Sequence, residues 1–210
     1  GTLTNGKALV ELMNVVGYDI AVPGNHEYDY GMDNFLGLVN DVAQYPYISA
    51  NFTYKDEAVF SPYIIKEFDG VKIGFVGVTT PKTITSSTPA YFQDENGEFV
   101  YGFCQDDTGA KFYAAIQSAV DAARAEGAEY VVICGHLGTE ETCEPYTSID
   151  VIYNVSGINA VLDGHAHEIM DNNVVTGKDG TPVVRVACGT KLGHIGVLTI
   201  TPEGEISSEL

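Results

Sequence analysis

Three short β-rich runs, each leading at once into a glycine and a histidine, constrain this chain more than any other feature. Residues 19–22 lead into Pro23-Gly24-Asn25-His26-Glu27, residues 130–134 into Gly135-His136, and residues 160–163 into Gly164-His165-Ala166-His167. Short apolar runs bounded by turn residues read as buried strands. Helical patterns lie between them. Residues 5–16 place Ala8, Leu9, Leu12, Met13 and Val16 on one face and stop at Gly17. Residues 32–44 do the same with Phe35, Leu36, Val39, Val42 and Ala43. Residues 109–126 follow with Phe112, Ile116, Ala119, Val120 and Ala123, and Gly127 ends that helix. A short helix over residues 149–155 precedes the run at 160–163. Helices alternating with short strands predict an α/β architecture. Asp69-Gly70 separates residues 62–68 from 71–78 and predicts a type I′ hairpin. Residues 183–188 and 195–200 read as two further strands. Residues 81–109, rich in Thr, Ser, Gly and acids, read as a long loop. There is no internal repeat and no Pro/Ser-rich linker, so residues 1–210 read as one domain.

In open α/β sheets, ligands bind where loops from the carboxyl ends of separate strands converge. Four of the five histidines sit in such loops: His26, His136, His165 and His167. Imidazole is the commonest ligand for divalent transition metals. Gly24, Gly135 and Gly164 are expected to let the chain turn sharply there. His165 and His167 are two residues apart and, on an extended segment, point to the same side. Asn25 offers an amide oxygen, a neutral hard ligand. His26 is a donor or proton carrier at neutral pH. Asp29, three residues on, reaches His26 if the segment begins a helical turn, and orients its imidazole. His194 fits no such place and reads as surface. Glu27, Asp163 and Glu168 read as supports or surface, and Asp106, Asp107, Glu140, Glu141 and Glu144 as a solvated face.

Charge excludes some functions. The chain carries 10 Lys and Arg against 29 Asp and Glu, a net charge of −19. A nucleic-acid or anionic-lipid binder needs a basic surface, so neither is expected. An anionic substrate remains allowed, because a bound metal inverts the local sign. No apolar run approaches the ~18 residues of a membrane span, and no basic-led apolar leader opens the chain. Four cysteines are too few for a disulfide scaffold. Cys134 and Cys188 read as buried thiols; Cys104 and Cys143 sit in polar stretches and are the pair that could bridge.

These motifs together resemble the calcineurin-like metallophosphoesterases, and more closely the amino-terminal catalytic domain of the 5′-nucleotidases. That group includes UDP-sugar hydrolases and 2′,3′-cyclic-nucleotide phosphodiesterases. The resemblance runs from Asn5-Gly6-Lys7 and Glu11-Leu12-Met13-Asn14 through Gly24-Asn25-His26-Glu27-Tyr28-Asp29-Tyr30-Gly31. It continues through Ala50-Asn51, residues 74–80, Gly135-His136 and Gly164-His165-Ala166-His167. It implies a four-layer α/β/β/α sandwich with a two-metal site, taking Zn, Mn or similar ions. Carried over residue by residue, Asn25, His136 and His165 hold one metal and His167 the other. His26, with Asp29 behind it, acts on the substrate phosphate, and a metal-held hydroxide attacks phosphorus in line. The implied substrate is a nucleotide or another phosphate ester, and the implied location is the periplasm, cell wall or medium.

The chain also departs from that pattern. The family's first strand carries an Asp-x-His motif, and a Gly-Asp motif then supplies a bridging carboxylate; neither occurs here. Gly1-Thr2-Leu3 resembles the stretch just after the bridging Asp. The expectation is therefore a sandwich truncated at the amino-terminal strand. The carboxy-terminal nucleotide-binding domain of the family is also absent from the 210 residues. Two divalent ions bring about +4, and the matched ligands are all neutral. Zero to one metal and weak or no activity are expected of this chain alone. Two other readings stay open: a non-catalytic binding or surface domain, and a cyclic-nucleotide phosphodiesterase or general phosphomonoesterase using the same residues.

Overall fold

A computed structural model describes residues 3–210. The elements run α1 (Lys7–Val16), α2 (Met32–Asp41), β1 (Thr53–Tyr54), β2 (Glu57–Ala58), β3 (Tyr63–Phe68), β4 (Val71–Thr79) and α3 (Thr83–Ser86). They continue with β5 (Tyr101–Gly102), α4 (Ala110–Ala125), β6 (Tyr130–His136), α5 (Ser148–Asn154) and β7 (Ala160–Asp163). The chain closes with β8 (Ile169–Thr176), β9 (Pro182–Cys188), β10 (Val197–Ile200) and β11 (Ile206–Glu209).

The main sheet has the order β3-β4-β6-β7-β9-β8. Its four inner strands are parallel, and both edge strands run antiparallel to them. Side chains alternate across the strands, which separates two cores. Val76 and Val78, Val131 and Ile133, Val161, and Val183 point to one face, where Phe112, Ile116 and Val120 of α4 and Val151 and Ile152 of α5 bury them. Ile73, Phe75, Val132, Leu162 and Val184 point to the other face, against Leu198 of β10 and Ile206 of β11. Among the described residues, the second β layer of the expected sandwich consists of that β10–β11 hairpin. The predicted β3–β4 hairpin forms, and its turn residues Asp69 and Gly70 both take positive φ, 51° and 89°.

A third core is aromatic and was hidden in the sequence. Tyr28, Phe35, Phe52, Phe92 and Phe103 are buried together, with the Tyr28 ring 5.1 Å from those of Phe35 and Phe92. Residues 81–109 are thus a packed cover rather than a plain loop. They hold α3, a 3-10 turn at Pro89–Phe92 and β5, and pin Phe92 and Phe103 over Tyr28. The run at 19–22 does not become a strand; Ala21 makes only an isolated bridge to Tyr47. β8 was not anticipated. It is a mostly exposed edge strand with a register shift between Met170 and Asn173, and its polar face shows no apolar alternation.

The four cysteines are free. Burial departs from the expectation at Cys143, which is 1% exposed, and at Cys188, which is partly exposed, whereas the Cys134 thiol is buried enough that its pKa is pushed up to about 12. Cys143 ends a 3-10 turn and its carbonyl accepts the Tyr146 N–H at 2.8 Å; Glu141, Thr142 and Glu144 beside it are exposed while Cys143 is buried. His194 is exposed, as expected.

Candidate active site

The carboxyl ends of β4, β6 and β7 meet at one edge of the sheet. Thr79 of β4 pairs with His136 of β6, and β7 ends at Asp163 just before Gly164-His165. This brings together residues distant in sequence. His136 Nε2 lies 2.9 Å from Asn25 Oδ1. His165 Nδ1 lies 3.3 Å from the same oxygen and 3.2 Å from His136 Nε2. Three donor atoms from three loops therefore converge on one point.

Each is held by its own support. Asn25 opens a 3-10 turn (Asn25–Tyr28), and Glu27 of that turn accepts the Gly24 N–H at 2.6 Å. Thr79 Oγ1 donates to the Pro23 carbonyl at 2.6 Å, and the buried Asn51 amide accepts from the Thr79 N–H and donates to the Thr79 carbonyl. The Asp163 carboxylate accepts from the Leu137, Gly138 and Gly164 N–H groups at 3.0, 3.2 and 2.8 Å. One carboxylate thus ties the loop after β6 to the loop after β7. Burial pushes its pKa up, and these N–H donors oppose the shift. Glu168, in turn, accepts from Thr139 at 2.6 Å. The sequence reading gave Glu27, Asp163 and Glu168 as supports or surface; the geometry makes all three loop braces. Thr79 and Asn51 carry no chemical motif of their own, so sequence reasoning gave them no role.

The glycines act through space rather than through turns. Gly24, Gly135 and Gly164 all lie outside the positive-φ region. A Cβ on Gly24 would stand 2.7 Å from His136 Cε1, and one on Gly164 would stand 3.2 Å from His136 Nδ1. Both positions must be bare for the imidazole to sit between the two loops.

Burial pushes the His136 pKa down to about 3, with His165, His26 and His167 adding to the shift. Burial also lowers the pKa of His165. Both rings are thus neutral near pH 7, the form that ligates a metal. His26 differs from them. It is exposed, and its Nδ1 lies 2.7 Å from Asp29 Oδ2, the pairing expected from the i, i+3 spacing. Ser87 Oγ donates to the other Asp29 oxygen at 3.3 Å. His167 is exposed and makes no hydrogen bond with the described residues. The His165–His167 segment is not extended: both take positive φ, 78° and 57°, so the strand alternation that would put both side chains on one side does not apply.

Of the acids expected on a solvated face, Glu140, Glu141, Glu144 and Asp107 are exposed. Asp106 instead accepts from Thr108, Ala110 and Lys111 N–H groups at the start of α4, which draws its pKa down to about 2.

The family model of the bacterial capsule synthesis protein PGA_cap matches residues 2–184. The chain belongs to this family. Similar curated proteins are nucleotide-cleaving enzymes by name. The trifunctional nucleotide phosphoesterase YfkN of Bacillus subtilis is 25% identical over 97% of the chain and 14% of its own length. The snake venom 5′-nucleotidase of Naja atra is 27% identical over 96% of the chain and 38% of its own length. The chain thus spans well under half of either relative. Among solved structures, the 5′-nucleotidase precursor of Thermus thermophilus superposes with a TM-score of 0.76 at 23% identity, over 99% of this chain and 41% of that one. The calcineurin-like phosphoesterase YfkN structure from Bacillus subtilis superposes with a TM-score of 0.73 at 22% identity, over 96% and 65%. The fold of this PGA_cap member is therefore that of the calcineurin-like phosphoesterases. The motif resemblance to the amino-terminal domain of the 5′-nucleotidases is borne out.

Proposed function

We propose that residues 1–210 form part of the catalytic domain of a metal-dependent phosphoesterase that hydrolyses nucleotide phosphate esters. The observation that carries this reading is the convergence of Asn25 Oδ1, His136 Nε2 and His165 Nδ1 within 3.3 Å of one another. Two neutral imidazole nitrogens and one amide oxygen facing each other at that range fit a single divalent cation of the Zn or Mn type. A second ion would take His167 as ligand. Bound there, divalent ions supply Lewis-acid polarisation of the phosphoryl oxygens and make an attacking water more acidic.

The chain's own residues do the rest. Asp29 accepts the His26 Nδ1–H, because a carboxylate has only lone pairs to offer, and this leaves Nε2 facing solvent. His26 is then placed to stabilise charge on the transferring phosphoryl group and to give a proton to the leaving oxygen. Ser87 and the 3-10 turn hold Asp29 so that the ring does not swing. The His26–Asp29 pair is also what favours an enzyme over a non-catalytic binding domain, since neither residue supports the fold.

Nucleotide substrates are supported by the names of the relatives, among them the Bacillus phosphoesterase and the venom 5′-nucleotidase. A location outside the cytoplasm has the same kind of support; among the described residues no helix is long and apolar enough to cross a membrane. Cell fractionation checks the location, and finding the activity confined to the cytosol refutes it. The function is tested with the full-length protein that carries this domain. Conversion of AMP to adenosine and phosphate, of 2′,3′-cyclic AMP to an adenosine monophosphate, and of a UDP-sugar to UMP and a sugar phosphate is followed by chromatography with Mn²⁺ present and removed. Metal-dependent hydrolysis of at least one of the three is expected, and the ranking separates nucleotidase from cyclic diesterase. No metal-dependent hydrolysis of any of them sinks the proposal.

A further inference from the structure

Beside the converged histidines lies a second donor set that shares His165 with them and adds two residues, Glu140 and Cys143, that the phosphoesterase chemistry does not use. A ring nitrogen of His165, Sγ of Cys143 and a carboxylate oxygen of Glu140 all lie within 4.8 Å of one another. Ligand atoms around a tetrahedral zinc stand about 3.5 Å apart, given Zn–S near 2.3 Å and Zn–N near 2.1 Å. A movement of roughly 1 Å in the loop after β6 therefore closes the set on an ion. Asp163 and Glu168 brace the start of that loop at Leu137, Gly138 and Thr139, so the movement falls to its later part, where the Glu140 side chain is exposed.

The chemistry of the set is selective. A thiolate, an imidazole and a carboxylate together suit zinc, cobalt(II) or cadmium, whereas manganese and magnesium prefer oxygen donors. Binding displaces the Cys143 thiol proton to solvent.

His165 is common to both donor sets. Its Nδ1 faces Asn25 and His136, while the opposite ring edge, at Cδ2, faces Gly138 at the head of the 138–143 loop. A neutral imidazole has one unprotonated nitrogen, so it serves one of the two sides at a time. We propose that Glu140, Cys143 and His165 form a second binding site for a borderline-soft divalent cation such as Zn²⁺, and that its occupation withdraws His165 from the Asn25–His136 site. The antagonism rests on the reading of His165 given above; the site itself does not.

The probe is cobalt(II) chloride, titrated into the chain stripped of metal, with absorption followed in the near ultraviolet. A thiolate-to-cobalt charge-transfer band is expected with the unaltered chain. Cys143→Ser is expected to abolish it. Glu140→Gln, at an exposed position that does not threaten folding, keeps the thiol and is expected to weaken cobalt binding about tenfold. Absence of the band in the unaltered chain overturns the proposal. Retention of the band in Cys143→Ser, or unchanged affinity in Glu140→Gln, does so too. The band requires no turnover. The band in this chain, together with no nucleotide hydrolysis by the full-length protein, sinks the phosphoesterase reading and leaves the cation site standing.

Discussion

Replacing Gly24 by Ala tests how the metal-binding geometry is built. The new Cβ would stand 2.7, 2.8 and 2.9 Å from Cε1, Nδ1 and Nε2 of His136. Non-bonded carbons approach to about 3.5 Å, so the ring must withdraw by roughly 0.8 Å. It has little room to do so, because a Cβ position on Gly164 lies only 3.2 Å from His136 Nδ1 on another side. Withdrawal breaks the 2.9 Å approach of Nε2 to Asn25. Overpacking of this kind costs about 1–3 kcal/mol of stability. Displacing a ligand costs about 10- to 100-fold in metal affinity, or about 1.4–2.7 kcal/mol. The assay is urea unfolding of the metal-free chain together with Mn²⁺ titration by calorimetry. Gly37→Ala is the control. Gly37 lies within α2 with nothing within 4 Å of its Cβ position, and the change should stabilise by about 0.5–1 kcal/mol. The reasoning is refuted if Gly24→Ala binds Mn²⁺ and unfolds like the unaltered chain.

His26→Ala is expected to lower kcat about 10²- to 10⁴-fold while leaving Mn²⁺ affinity unchanged, and Asp29→Asn to lower kcat by a smaller factor; steady-state kinetics beside calorimetry separates the two effects. The pKa of His136 is held down to about 3 in the fold, against 6.5 for a free imidazole. The unfolded state therefore binds the extra proton over that window, and stability of the metal-free chain falls as pH drops from 6.5 towards 3. The slope from this one group approaches about 1.4 kcal/mol per pH unit, and His136→Asn should remove it in urea midpoints taken along that range. Tyr28 Oη is buried without a partner among the described residues, so Tyr28→Phe should raise stability by about 1 kcal/mol; a lower melting temperature would show that the hydroxyl is satisfied after all.

The grouping of the candidate site residues was more legible in the sequence than the scaffold around them. Asn25, His26, Asp29, His136 and His165 were legible because each follows a strand-like run and sits beside glycine or a partner at helical spacing. The helices α1, α2, α4 and α5 and strands β3, β4, β6, β7 and β9 were legible from apolar periodicity. Aromatic packing left no such trace. Phe92 and Phe103 are isolated in a polar stretch, and only the fold brings them onto Tyr28. The reason for the glycines was also out of reach, because for Gly24 it depends on a ring distant in the chain. Asp163 drew notice only for its place beside Gly164. Its three backbone donors come from two loops that the sequence does not mark as neighbours. Cys143 looked solvated because its neighbours are polar, and its burial at the end of a 3-10 turn is a tertiary fact.

Phosphate release by the full-length protein from its best nucleotide substrate, measured with Mn²⁺ and after chelation, in the unaltered form and in His136→Ala, bears on the central claim most directly. Hydrolysis that needs the metal and is lost in His136→Ala is the predicted result. Hydrolysis that survives either chelation or the loss of His136 would contradict it.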